Sequence, residues 1–251
     1  MSLISRQTGL GDNFYISGFD LSGDVNALGS VSGQVATLDV TAINKFAHER
    51  LGGLRDGSMD FTTVFDNAAG AEHPVLSALP RTDVIASYFI TPNLGGAAAS
   101  INAKQIDYAP TRATDGMLTS AISVQANSFG LEWGQQLTSG IRTDTVATNG
   151  SSVNNVSPSS FGFQAYLHVF SFTGTDATVK IQDSADNSTF ADLAGGAFAQ
   201  VTSGTPQAQR IAVGGTATVR QFLRVATVTT GGFTSLAFAV SFTRNLTAVS
   251  F

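Results

Sequence analysis

The chain has 251 residues, 43% of them hydrophobic and only 12% charged, with a formal net charge of −5 and no cysteine. That length can bury one large or two ordinary hydrophobic cores, and the absence of cysteine excludes a disulfide framework, a thiolate metal site and a cysteine nucleophile. Charged residues usually make up about a quarter of a soluble domain, so much of this surface falls to Thr, Ser, Asn, Gln, Gly and Ala, which suits burial against other copies.

The opening stretch, MSLISRQTGLGDNFYISGFD, has no apolar segment behind a basic start, and nowhere does the chain approach the roughly 18 apolar residues of a membrane helix. A soluble, unexported chain is therefore expected. Thr41 stands where it can cap a helix over Ala42 to Leu51, with Gly52 and Gly53 as the stop. In the next segment Met59, Phe61, Thr63 and Phe65 alternate with Asp60, Thr62 and Val64. That period of two predicts a strand and turns Asp60 away from the core. Pro74 can open a short helix ended by Pro80, and 83–91, 98–107 and 117–127 suit strands.

The stretch Thr145 to Ser160, TVATNGSSVNNVSPSS, is rich in Ser, Asn, Thr and Gly and lacks apolar periodicity, so it reads as a linker or long loop. It divides the chain into a domain over 1–148, a linker over 149–160 and a second domain over 161–251. Behind it Ala177, Val179 and Ile181 alternate with polar neighbours, as do Leu236, Phe238, Val240 and Phe242, the pattern of strands burying one face. Further strands are expected over 161–172, 197–202, 209–213 and 218–229, between glycine turns, which together predict a β-sandwich. Charge divides unevenly: residues 1–150 hold 14 acidic against 8 basic residues, and residues 151–251 hold 4 against 5. An acidic front half speaks against binding nucleic acid through its phosphates.

Little in the chain suggests catalysis. His48, His73 and His168 are isolated and read as structural or surface residues. No nucleophile elbow, P-loop or dinucleotide fingerprint occurs among the 26 glycines. The acidic run Asp183, Asp186 and Asn187, with Asp192 beyond, offers oxygens of the kind Ca²⁺ takes, but without the order of a calcium loop, and the same residues suit a turn. Arg220 and Arg224 read as neighbours on one solvated strand face. Tyr166, Phe190, Phe198 and Phe233 are candidates for a sugar platform or, equally, for core and turn packing. No cofactor and no enzymatic activity are expected.

Four front-half stretches, YISGFDLSGDV (15–25), LDVTAINKFAHERLGGLRDGSMDFTTVFD (38–66), HPVLSALPRTDV (73–84) and ANSFGLEWGQQLTSGIRTDT (126–145), with AYLHVFSFTGTDATVKIQDSADNSTFADL (165–193) behind them, carry a family likeness. Across nearly the whole chain they resemble tail tube (major tail) proteins of siphovirus-type bacteriophages, particularly those infecting actinobacteria, with an appended C-terminal sandwich. The resemblance implies an all-β fold: a tail-tube-like β-sandwich or barrel domain with one or two short helices, then a second, outer β-sandwich. It also implies a structural virion protein, assembled in the host cytoplasm into hexameric rings of its own copies and stacked as a tube. Other tail proteins would meet the tube ends, and DNA would pass without specific binding. Asp60 is then the candidate for an acidic belt facing the lumen. The alternative is a tail or capsid decoration protein whose sandwich adheres to host glycans.

Overall fold

The computed structural model describes residues 9–249, so the first eight residues of the opening stretch lie outside it. Sixteen strands and one short helix follow in order: β1 (Asn13–Ile16), β2 (Phe19–Asp20), β3 (Val25–Asp39), β4 (Arg50–Val64), α1 (Glu72–Leu76), β5 (Val84–Phe89), β6 (Ala97–Arg112), β7 (Leu118–Ala126), β8 (Glu132–Gln136), β9 (Arg142–Asp144), β10 (Asn149–Asn154), β11 (Phe163–Gly174), β12 (Thr178–Ser184), β13 (Ala191–Ala197), β14 (Gln207–Val213), β15 (Phe222–Val228) and β16 (Phe233–Arg244). The fold is all-β, and its ladders among the described residues are antiparallel.

A large sheet runs β14-β11-β16-β8-β6-β5-β1-β2, with the branch β7-β4-β3 leaving β6. The branch is possible because β6 is long: Ala97 to Ser100 pair with β8, while Ala103 to Arg112 pair with β7 on the same edge. In the front half the sheet curls over itself until Phe14 of β1 meets Phe61 of β4, ring centroids 4.4 Å apart. It encloses a core of Ile16, Leu21, Met59, Ile101, Ile122 and Val124 among others. In the back half, β14-β11-β16 faces a second sheet, β10-β15-β12-β13. The predicted residues Val179, Ile181, Leu236, Phe238, Val240 and Phe242 fill the space between them, joined by Leu137 from the front half.

The opposite faces of β11 and β16 are buried too, over 163–169 and 238–242, against the front half, where several side chains are polar and hydrogen-bonded across the junction. Nδ1 of His168 accepts the Gly18 amide, so its Nε2 carries the hydrogen and meets Ser87 Oγ at 2.9 Å. Ser87, Ser100 and Ser241 continue the chain of hydroxyls at 2.8 and 2.6 Å. Nearby, buried Glu132 accepts the Tyr166 hydroxyl at 2.5 Å and pairs with Arg210 at 3.1 Å. Gly18, at φ +86°, makes the close approach possible, since a Cβ there would stand 2.6 Å from the Val169 carbonyl oxygen of β11.

Several expectations are corrected. Residues 40–49 are not a helix but the loop joining β3 to β4; Thr41 does accept a backbone amide through its hydroxyl, from Glu49, but within that loop. The short helix is Glu72–Leu76, two residues earlier than expected. In the stretch read as a linker, Asn149–Asn154 form β10, paired with β15. Residues 198–202 form no strand beyond a single bridge from Val201 to Ala177, and Gly195 and Gly196 lie within β13 instead of marking a turn.

Complete burial holds the His168 side chain neutral, with its pKa pushed down to about 3 from 6.5. The unfolded chain binds the extra proton between those values, so stability is full above about pH 6.5 and falls by about 1.4 kcal/mol for each pH unit below it. Between pH 6.5 and 5 this amounts to about 2 kcal/mol. Urea unfolding across that window should show the slope in the parent and lose most of it in His168→Gln.

A candidate assembly site: the β3–β4 arm

β3 and β4, 15 residues each, form the longest two-stranded ladder in the fold, about 50 Å of chain at the rise of an antiparallel strand. Only one end of the pair lies on the barrel. There Gly57, Met59, Phe61 and Thr63 point inward and are buried, and β7 pairs with Ser58 to Val64. Every residue from 33 to 56 is exposed. A two-stranded ribbon is marginal alone; this one persists because its strands continue into the barrel. Among the described residues nothing pairs with the outer edge of β3.

The base of the arm is fixed by a close approach. Gly57 lies against the 131 segment so tightly that a Cβ would stand 2.6 Å from Leu131 Cβ and 2.7 Å from its amide nitrogen. Gly33, opposite Gly57 in the ladder, touches the same leucine.

At the far end the loop is tied by its own polar groups. Asp39 accepts the Thr41 amide at 2.9 Å and its hydroxyl at 2.5 Å, and His48 Nδ1 at 2.9 Å. The Thr41 contacts lead in holding the Asp39 carboxyl below the usual carboxylate range. Lys45 pairs with Glu49 at 2.8 Å. With these five polar side chains engaged inside the loop, the apolar ones are turned out: Ile43 and Phe46 are 105% and 108% exposed, and Val35, Leu38, Val40, Leu51 and Leu54 stand exposed along the arm. Apolar surface concentrated in this way marks an interaction site.

Asp60 sits on β4 just past the base, half-buried, with one oxygen accepting Ser30 Oγ at 2.7 Å and the other Ser123 Oγ at 2.6 Å. It lies away from the core, on the polar face, as its alternation predicts.

The acidic run in the back half is a turn. Asp186 accepts the Thr189 and Ser188 amides and the Ser184 hydroxyl, which hold its pKa down at about 2. Asn187 adopts φ 60° and accepts Ser152 Oγ. Asp183 pairs with Arg220 at 3.0 Å and Asp192 with Lys180 at 2.8 Å. No group of three or more His, Asp or Glu among the described residues could hold a metal ion. Arg220 lies outside β15, so it shares no strand face with Arg224, whose guanidinium covers the Phe190 ring at 4.1 Å. Tyr166, Phe198 and Phe233 are buried, so none of the four offers an open sugar platform. His48 lies at the arm tip, and His73 bonds the Tyr108 hydroxyl at 2.7 Å.

No family model matches the chain, and no curated protein matches it. Among solved structures it is similar to a chain from the virion of a native gene transfer agent particle, with a TM-score of 0.42 and 17% identity over 51% of this chain and 98% of that one. A chain from the tail of an empty gene transfer agent particle, described with C6 symmetry, gives 0.40 and 19% over 50% and 97%. The Dit protein of phage SPP1, described as a paradigm of the hub adsorption apparatus, gives 0.33 and 12% over 92% and 98%.

A bulky residue at position 57 must lift the arm base off Leu131. Gly57→Val should cost about 1–3 kcal/mol, as overpacking does, and thermal melting of the variant beside the parent measures it.

Proposed function

We propose that the chain is a structural, non-enzymatic protein of a phage tail, which assembles with its own copies into rings stacked as a tube that conducts DNA. The observation that carries this reading is the arm: residues 33–56 project with their apolar side chains uncovered, beside the unpaired edge of β3. Edges and apolar tips left open in a monomer are aggregation hazards, and an ordered assembly covers them. The sequence resemblance to tail tube proteins supports the same reading. In it the front half, 1–148, forms the ring, and the sandwich of 161–251 lies outside.

Magnitudes favour a many-contact assembly over a simple pair. Burying Ile43 and Phe46 contributes about 1.5–3 kcal/mol each, whereas association costs about 4–15 kcal/mol in lost freedom. The tip alone does not hold two copies together. A ring in which each copy meets several neighbours does, since later contacts form within an existing assembly.

The double variant Ile43→Ser, Phe46→Ser alters only exposed groups, so its folding stability should stay within about 0.5 kcal/mol of the parent. Electron micrographs of the parent should show rings or tubes and those of the variant dispersed particles; tubes from the variant would remove the arm from the assembly.

In the same proposal Asp60 faces the channel, where one carboxylate per copy makes a belt of like charge that keeps DNA from sticking. Asp60→Lys should fold and assemble, yet retain DNA at low salt and release it as salt rises. Variant tubes that ignore DNA as the parent does would place Asp60 elsewhere.

A further inference from the structure

We infer that the apolar arm tip of one copy docks in a groove at the arm base of another, with Ile43 and Phe46 against Trp133 and Leu246, and Asn44 donating to Gln164. The inference rests on the self-assembly proposed above and names the surface that receives the tip.

The groove has a volume of about 470 Å³ and is bounded on one side by the arm base at Gly33 to Val35 and Arg55, and on the other by Leu131, Trp133, Gln164, Thr243 and Leu246. Trp133 is 48% exposed and Leu246 68% exposed, so its apolar wall has no cover among the described residues. At the mouth of the polar layer between the two cores, Gln164 is 1% exposed and its Oε1 has no hydrogen-bond partner among the described residues. A buried acceptor without a donor is costly, and a ligand that belongs here brings an N–H.

The tip matches these needs. Its two fully exposed apolar side chains flank Asn44 and the Glu49-paired Lys45, and Asn44 makes no hydrogen bond among the described residues, so the tip presents a free donor between two apolar groups. The formal charges facing each other add no repulsion: Lys45 and Glu49 are paired on the tip, while the groove sets Arg55 and Arg244 against Asp56 and the Arg210-paired Glu132. The occupant is a second copy because the tip cannot fold back. From Val35 to Asp39 the chain runs outward for about 13 Å at strand rise, paired to β4 along the way, and the tip lies beyond that. Tip and groove are different surfaces, so the contact is heterologous and repeats.

The chain itself supplies the probes, as Trp133 is the single tryptophan and there is no native cysteine. On assembly of the parent, Trp133 emission should shift to the blue and its quenching by iodide drop severalfold. Assembly with unchanged emission overturns the docking. In parallel, Ala42→Cys and Thr247→Cys proteins, which change exposed residues beside the tip and at the groove and keep Ile43, Asn44, Phe46, Trp133 and Leu246, are mixed under mild oxidation. Covalent dimers in the mixture, and not in either protein alone, support the inference. Tubes that form without that cross-link leave the tail reading standing and sink the groove; a cross-link in protein that forms no rings or tubes keeps the groove and sinks the tube. Protection of Trp133 by N-acetylglucosamine oligomers, with none on assembly, would assign the groove to a glycan and overturn the docking.

Discussion

Over 163–169 of β11 and 238–242 of β16 the pair has no solvent face, and both halves of the molecule are organised around that. One side of the pair is apolar and packs against the second sheet; the other is lined with Gln164, Tyr166, His168 and Ser241 and packs against β5 and β6. A pair buried on both sides cannot slip in register without placing hydroxyls in the apolar core and phenylalanines in the polar layer. The polar layer, with its serine hydroxyls and the Glu132–Arg210 pair, fixes how the two cores meet more than it adds net stability, since buried polar networks gain little over the water they replace.

From this junction the arm inherits its rigidity. β8 joins β16 to β6, and the residue just before it, Leu131, is the one on which Gly57 rests. The direction in which the arm leaves the barrel is therefore set by the same contacts that fix the two cores. A neighbouring copy would meet a preformed projection, which lowers the ordering cost of binding.

The fold was legible in the sequence where a strand has one wet and one dry face or a dry centre. Leu236, Phe238, Val240 and Phe242 announce β16, and Met59, Phe61 and Thr63 announce the barrel end of β4. It was illegible where burial is missing. β3 shows little alternation because most of its length touches no core, and the apolar spacing of Ile43 and Phe46 beside a capping threonine imitates one face of a helix. Periodicity reports what the chain buries within itself, so residues kept apolar for another surface give a false signal. Neither the role of Gly57 nor the groove at Trp133 could be read beforehand, since both depend on segments more than 70 residues apart in sequence coming together.

The arm also has a modular consequence. Gly33 and Gly57 face each other across the ladder where the ribbon leaves the barrel, so everything beyond them is a detachable insert in one continuous stretch of gene. Adding or deleting two residues on each strand preserves which side chains face which way and moves the tip by about 7 Å, twice the rise of a strand residue. The barrel, whose own pairings begin at Ser58, would not register the change. Length variation confined to this ribbon is thus a route by which related chains can alter their reach while conserving the body that carries it.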